Sequence, residues 1–179
     1  MSLEALKYPI GKFEKPEIIG QDLIDSWISD IEAFPTRLND LVDGLSVEEK
    51  NWKYRPAGWS IKQVVHHCGD SHMNSIIRFK WTLTEDTPTI KAYYEERWAE
   101  LTDGLDDDLS SSLLFIEGLH KKWIMLLRSL NSTDLEKEFV HPEHGNRVSL
   151  KENVGIYAWH CNHHLAHINQ ALEGKGKYN

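Results

Sequence analysis

Apolar residues recur at intervals of three and four over four long segments of the chain. These segments cover residues 17–42, 60–83, 109–130 and 149–173. Because that spacing gathers the apolar side chains on one side of a helix, we predict an amphipathic helix for each segment. Pro35 removes one N–H from the hydrogen-bond ladder of the first helix and is expected to kink it. Four helices that each bury one apolar stripe predict an all-α fold, a four-helix bundle.

Three capping boxes mark helix starts, at Ser46–Glu49, Ser60–Gln63 and Ser149–Glu152. In each box the Ser side chain accepts a hydrogen bond from the backbone N–H three residues later, and the Glu or Gln at that position accepts one in return. The second and third boxes open the second and fourth long helices, whereas the first predicts a short helical turn. Gly174 is a natural residue for the last helix to stop at.

The other segments are predicted to be connections within one domain that spans residues 1–179. Residues 1–16 are polar, contain Pro and Gly, and are predicted to form an extended N-terminal arm. The connections at 43–59 and 84–108 are longer than a minimal up-down bundle needs, so we expect them to cover one end of it. Residues 139–148 place β-type residues around a Pro/Gly turn and predict a small hairpin before the last helix.

The composition narrows the classes of function. The formal charge is −8 and no run of Lys or Arg occurs, so a nucleic-acid partner is not expected. No apolar stretch is long enough to cross a membrane, and no signal-peptide core is seen at the N-terminus. The two cysteines, Cys68 and Cys161, are too few for a disulfide framework, so a reducing cytoplasm is the expected compartment. The unusual feature is the count of ten histidines, which points to a site.

Four of these histidines lie in the last predicted helix. His160 and His164 are four residues apart, so their imidazoles lie on one face of that helix. Measured from Cys161 at the centre of the apolar stripe, they lie roughly 100° and 60° round the same side, and His163 lies roughly 160° away. His160 and His164 are therefore predicted to border the core together, with His167 further round the same flank. His163 is predicted to point away from the core.

The second helix repeats this pattern. His67 lies roughly 100° from Cys68, the centre of its apolar stripe, and His66 lies roughly 160° away on the far face. If the second and fourth helices are neighbours, His67 converges with His160 and His164 near one end of the bundle. Three imidazoles around one divalent metal ion, with an open position, are typical of a catalytic site. Zinc is the expected metal, with nickel or iron as alternatives.

Other assignments of these residues stay open. Two histidines four apart on a helix are also a frequent chance pattern, and Cys68 and Cys161 are either soft ligands or small buried hydrophobic residues. His120 and His141 are predicted at the surface or in loops, as is His144, which is also a candidate fourth ligand. The three predicted ligands lack the Glu three positions earlier that di-iron bundles use, which argues against a two-metal carboxylate centre.

Two histidine blocks carry a resemblance to a known family. The first covers residues 59–74 and reads WSIKQVVHHCGDSHMN, and the second covers residues 157–167 and reads YAWHCNHHLAH. They resemble the metal motifs of the DinB-like superfamily, in particular its YfiT branch of metal-dependent hydrolases and bacillithiol S-transferases. The resemblance implies a homodimeric four-helix bundle whose metal is bound by His67, His160 and His164. Some members are thiol S-transferases that use bacillithiol, mycothiol or glutathione, and others carry only the hydrolase label.

Three hypotheses of function remain, and no catalytic side chain is assigned in any of them. In the first, the metal binds the thiol of bacillithiol or a similar co-substrate, and the thiolate attacks an electrophilic small molecule. Arg78, about three turns along from His67, is then a candidate for binding an anionic group. In the second, a metal-bound hydroxide hydrolyses an ester or amide, with Glu143, Glu152 or His144 as candidate bases. In the third, the histidines form a structural or storage site in a non-catalytic metal-binding protein.

Overall fold

The computed structural model describes residues 2–143 and 145–179 of the chain. Within these ranges, four long helices form the frame, and short helices and one hairpin connect them. The elements are α1 (Leu3–Lys7), α2 (Gln21–Val42), α3 (Val47–Lys50), α4 (Ile61–Thr84), α5 (Glu95–Trp98), α6 (Ser110–Arg128), α7 (Ser132–Leu135), β1 (Glu138–Val140), β2 (Arg147–Ser149) and α8 (Leu150–Gly174). Of the described helices, none is both long and apolar enough to cross a membrane.

The long helices α2, α4, α6 and α8 pack as a bundle, which confirms the predicted all-α fold. The close pairs are α2 with α6 and α8, and α4 with the same two helices. The consecutive helices α2 and α4 therefore lie across the bundle from one another, which a short connection would not allow. The long connection between them, which contains α3, spans this distance. As the histidine pattern required, α4 and α8 are neighbours.

Large apolar rings fill the centre of the bundle. Phe34 of α2, Phe79 of α4 and Trp123 of α6 have no exposed surface. Trp123 meets Phe79 edge-on at a centroid distance of 6.0 Å and Tyr157 of α8 at 5.4 Å. Burial of each such side chain stabilises the fold by roughly 1.5–3 kcal/mol. All four long helices are thus held to one common core.

The predicted small hairpin is present before the last helix. β1 pairs antiparallel with β2, with Phe139 opposite Val148. Gly145 in the turn has a φ of 64°, a backbone conformation that favours glycine. Ser149 ends β2 and caps α8, because its side chain accepts a hydrogen bond from the Glu152 N–H. The hairpin therefore determines where α8 begins, and with it the positions of the histidines that α8 carries.

The N-terminal segment differs from the extended arm expected over residues 1–16, because it begins with the short helix α1. The Ser2 side chain caps α1, and Leu6 is buried. The segment lies along α8, where Gln170 Nε2 donates a hydrogen bond to the Leu6 carbonyl and Trp159 Nε1 donates one to the Gly11 carbonyl. These contacts give α1 the packing that so short a helix needs, and they cover part of the histidine face of α8.

Candidate metal centre

His67 of α4 and His160 and His164 of α8 converge at one point. One ring nitrogen from each lies within 4.8 Å of those from the other two. The Nε2 atoms of His67 and His160 are 3.3 Å apart, and the ring centroids of His160 and His164 are 4.4 Å apart. Two imidazole nitrogens this close share a proton or a cation, since their lone pairs otherwise repel. Three such nitrogens around one position form a donor set that fits a divalent metal ion.

Burial keeps these rings neutral. Desolvation, with a smaller contribution from His163, lowers the pKa of His67 from 6.5 to about 4. Burial and the neighbouring imidazoles hold the pKa values of His160 and His164 well below the ordinary value. Each ring therefore offers a free lone pair at neutral pH, as metal binding requires.

A cavity of about 1530 Å³ has the three histidines in its wall. Charged side chains of both signs also line it, namely Lys53, Arg55, Arg78, Arg97, Glu95, Glu96 and Glu100. The Nε atom of Arg78 is buried and has no hydrogen-bond partner among the described residues. Glu100 accepts a hydrogen bond from the Gln63 side chain. The cavity can therefore receive a small molecule that carries charged groups next to the three imidazoles.

Glu143 and Glu152, which the sequence suggested as candidate bases, do not line this cavity. Glu143 is exposed in the hairpin turn, and Glu152 pairs with Lys15 at the start of α8. Helical periodicity gave no reason to select Glu95, Glu96 or Glu100, because they lie in or beside the short helix α5, which has no long apolar stripe. His144 lies outside the described residues, so its candidacies as a ligand and as a base stay predictions.

A family model described as the DinB superfamily matches residues 30–168. The chain belongs to the DinB superfamily. Its relatives include "Putative metal-dependent hydrolase OB0782" of Oceanobacillus iheyensis, 48% identical over 94% of this chain and 97% of the relative. A "Putative metal-dependent hydrolase" of Bacillus cereus is 51% identical over 91% of this chain and 93% of the relative.

A solved structure resembles this DinB-superfamily chain over nearly its whole length. YfiT from Bacillus subtilis, described as a probable metal-dependent hydrolase with an unusual four-helix bundle topology, superposes with a TM-score of 0.93 at 41% identity. The match covers 96% of this chain and 98% of YfiT. The names of these relatives agree with the expectation of a metal-dependent enzyme. They leave the reaction and the substrate of this DinB-superfamily member open.

Several other histidines of this DinB-superfamily chain differ from their predicted positions. His163 and His66 were expected on far faces, yet both are buried. The ring of His163 stacks on Trp159 at 4.4 Å, and the Nε2 atom of His66 lies 3.0 Å from the Asp106 carbonyl oxygen. The N-terminal segment and the connection before α6 cover these two positions, and the phase of a single helix does not reveal such coverage. His141, by contrast, lies in the hairpin loop as predicted, and it lines the cavity.

His120 was also predicted at the surface or in a loop, and this prediction was wrong. It lies inside α6 and is only 2% exposed. The sequence held the signal, because His120 is four residues after Ile116 and three before Trp123, both of which face the core. Cys68 and Cys161 are fully buried and free, and burial raises the pKa of both thiols. This environment suits small hydrophobic residues better than metal ligands.

Proposed function

We propose that this protein is a metal-dependent enzyme that transfers a low-molecular-weight thiol, of the bacillithiol kind, to an electrophilic small molecule. The supporting observation is the convergence of His67, His160 and His164 in the wall of a large cavity. A cavity of about 1530 Å³ exceeds the roughly 300–1,000 Å³ of a usual small-molecule pocket, and therefore suits two reactants. The names of the relatives support metal dependence.

The three imidazoles would hold one divalent ion, with zinc expected and nickel or iron as alternatives. When bound, the ion supplies Lewis acidity that lowers the pKa of a thiol or a water molecule beside it. The neutral rings of His67, His160 and His164 hold the ion, and the cavity wall positions the reactants. Arg78 lines the cavity and is the candidate for binding an anionic group of the thiol compound.

Hydrolysis of an ester or amide is the second candidate. It is the activity that the relatives' names state, and it needs a proton acceptor near the three imidazoles. Glu95, Glu96 and Glu100 line the same cavity and replace Glu143 and Glu152 as candidates for this role. We rank hydrolysis second because Glu100 is already bonded to the Gln63 amide and the other two glutamates are exposed.

We also propose that the protein is a homodimer in a reducing cytoplasm and that its partners are small molecules. The free, buried cysteines suit a reducing compartment. Leu114 and Met125 are exposed on α6 and offer apolar surface for a second copy. Light scattering behind a sizing column tests the dimer, and a monomer at all concentrations would contradict it.

The function is tested by incubating the zinc-loaded protein with bacillithiol and an aryl chloride. The thiolate sulfur forms a bond to the aryl carbon, the C–Cl bond breaks, chloride leaves with its electron pair, and the thiol proton passes to the buffer. We expect zinc-dependent formation of the conjugate by mass spectrometry, abolished in His67→Ala and retained in His66→Ala. A rate equal to that of the metal-free protein would overturn thiol transfer.

A panel of esters and amides, assayed in the same way, tests the second candidate. Zinc-dependent cleavage without conjugate formation would favour hydrolysis. If neither reaction occurs and a fourth protein ligand closes the metal position, the chain is a non-catalytic metal-binding protein.

A further inference from the structure

His72 and His120 form a hydrogen-bonded row behind His160, on the side away from the other two rings. The Nδ1 atom of His160 is 3.1 Å from Nε2 of His72, and Nδ1 of His72 is 2.8 Å from Nε2 of His120. The Nδ1 atom of His120 is 2.7 Å from the backbone carbonyl oxygen of Ile31. His72 has no exposed surface, and His120 is 2% exposed. These rings are therefore almost completely shielded from bulk water.

The Ile31 carbonyl, which is the last acceptor in this row of histidines, sets the direction of every hydrogen bond in the row. A carbonyl oxygen only accepts, so Nδ1 of His120 carries the proton, and a neutral imidazole has only one. Nε2 of His120 therefore accepts a hydrogen bond from Nδ1 of His72, and Nε2 of His72 accepts one from Nδ1 of His160. The remaining nitrogen of His160, Nε2, carries the lone pair and lies 3.3 Å from both Nε2 of His67 and the Ser71 hydroxyl oxygen, either of which can donate a hydrogen bond to it until a metal binds.

Pro35 explains why the Ile31 carbonyl is available. In a regular helix this carbonyl would accept the N–H of the residue four positions later, which here is Pro35. Proline has no N–H, so α2 leaves the Ile31 oxygen without its helical partner. The Nδ1–H of His120 takes that place.

A shorter row, which contains only His167, lies behind His164. The Nε2 atom of His167 is 3.0 Å from the carbonyl oxygen of Lys7, the last residue of α1, where helix carbonyls lack an intrahelical partner. Nε2 of His167 therefore carries the proton, and its Nδ1 accepts a hydrogen bond from Nδ1 of His164, 3.4 Å away. Nε2 of His164 then also presents a free lone pair.

We propose that His72, His120 and His167 are positioning residues that fix the proton of both His160 and His164 on Nδ1. This inference rests on the metal site of the proposed function. These two rows of hydrogen bonds, here called relays, each end on a helix carbonyl without its usual partner. They orient Nε2 of both rings toward the metal site before a metal binds. Outer partners of this kind orient the ring and raise its basicity.

Nitrogen-15 NMR of the full chain with labelled histidines tests the proposal directly. Long-range proton–nitrogen correlations distinguish protonated from bare ring nitrogens, and single-histidine variants assign the signals. We expect the proton on Nδ1 of His72, His120, His160 and His164, and on Nε2 of His167, in the metal-free protein and after addition of zinc. A proton on Nε2 of His72 or His120, or on Nδ1 of His167, would overturn the corresponding relay.

Zinc affinity gives a second readout. His120→Phe keeps a ring but removes both hydrogen bonds, and should weaken zinc binding about 10- to 100-fold. His120→Gln can accept from His72 and donate to the Ile31 carbonyl, and should restore most of the affinity. The matched control is His66→Phe, which removes a buried histidine of α4 whose bonds to Ser112 and Asp106 lie outside the relays.

We expect the control to change zinc affinity less than about threefold, below the range for outer partners of a ligand. Wild-type affinity in a folded His120→Phe protein, or an equal loss in His66→Phe, would overturn the proposal. If His120→Phe does not fold, the NMR of the wild-type protein still decides. Because neither readout uses the thiol reaction, a protein that binds zinc but forms no conjugate would contradict the proposed function and leave the relays standing.

Discussion

Each ligand histidine can bind a metal only while its ring is neutral and its lone pair faces the shared position. Removing one ring from the set leaves two donors, which hold zinc poorly. We therefore expect His160→Ala to lower zinc affinity by more than about 100-fold, beyond the effect of losing an outer partner, with the helix content unchanged. Isothermal titration with zinc and far-UV circular dichroism measure the two quantities.

His163→Ala is the control for this experiment. The ring of His163 packs on Trp159 and lies near Tyr8, and although its centroid is 5.1 Å from that of His164, its nitrogens are not part of the three-histidine group. Its removal should leave zinc affinity within a fewfold of the wild type. If His163→Ala loses zinc and His160→Ala keeps it, the assignment of the ligands is wrong.

A substitution of Arg78 tests whether this residue binds the thiol compound. A hydrogen bond from its guanidinium to an anionic group contributes roughly 1.5–3 kcal/mol, so Arg78→Gln should raise KM for an anionic thiol about 10-fold or more. Zinc affinity should not change. Arg128→Gln is the matched control, because Arg128 pairs with Glu32 on the surface. Equal KM values for both variants would exclude Arg78 from substrate binding.

Single residues were predictable where one helix determines their position. The offsets of His67, His160 and His164 from their apolar stripes predicted that each ring borders the core, and the three rings do converge there, while their role as metal ligands stays a prediction. His163 was misplaced because residues of a distant segment, such as Tyr8, cover it. Such coverage depends on tertiary packing, which helical phase does not contain.

At the level of elements, the capping boxes were predicted well and show how packing modifies a local motif. The boxes that start at Ser46 and Ser60 form both of their hydrogen bonds. At Ser149 only the bond from the Glu152 N–H is made, because the carboxylate of Glu152 pairs with Lys15 of the N-terminal segment. The predicted helix start is confirmed, whereas the partner of the Glu152 carboxylate is a residue far away in the sequence.

The close packing of α2 on α8 depends on Gly155. A methyl group there would lie 2.7 Å from the Trp27 ring, whereas one at Gly118 of α6 would meet nothing within 4 Å. We expect Gly155→Ala to lower the free energy of unfolding by about 1–2 kcal/mol through overpacking. Gly118→Ala should raise it by about 0.5–1 kcal/mol, since alanine favours the helix.

Urea denaturation of both glycine variants measures this difference, and Trp27→Leu should relieve the loss in the double variant. A stabilising Gly155→Ala would contradict the close contact between the two helices.

For the whole molecule, the four helices were predictable but their arrangement was not. Each stripe indicates that a helix has a buried face, and it does not say which other stripe it meets. Long connections permit several arrangements, and the diagonal placement of α2 and α4 is set by how all four stripes share one core. The neighbouring positions of α4 and α8, on which the site depends, had to be assumed from the histidines.

The concentration of buried histidines predicts acid sensitivity of the metal-free protein. Burial lowers the pKa of His67 and His120 to about 4 and that of His167 to about 3, against 6.5 in an unfolded chain. Between about pH 4 and 6.5 the unfolded chain therefore binds more protons than the folded one, so stability is complete above this window and is lost as pH falls through it.

We expect the free energy of unfolding to fall by at least about 2 kcal/mol between pH 7.5 and 5.5, as two or more histidines contribute about 1.36 kcal/mol per pKa unit. Urea denaturation of protein stripped with a chelator measures the change. The same midpoint at both pH values would contradict neutral burial of these rings.

We propose that three imidazoles hold one ion and leave one position open for a reactant. X-ray absorption at the zinc edge of the purified, zinc-loaded protein tests it most directly. We predict three imidazole ligands and one exchangeable light ligand, with sulfur at about 2.3 Å appearing after a thiol is added. Four protein ligands, cysteine sulfur before any thiol is added, or no change on addition of the thiol would contradict the claim.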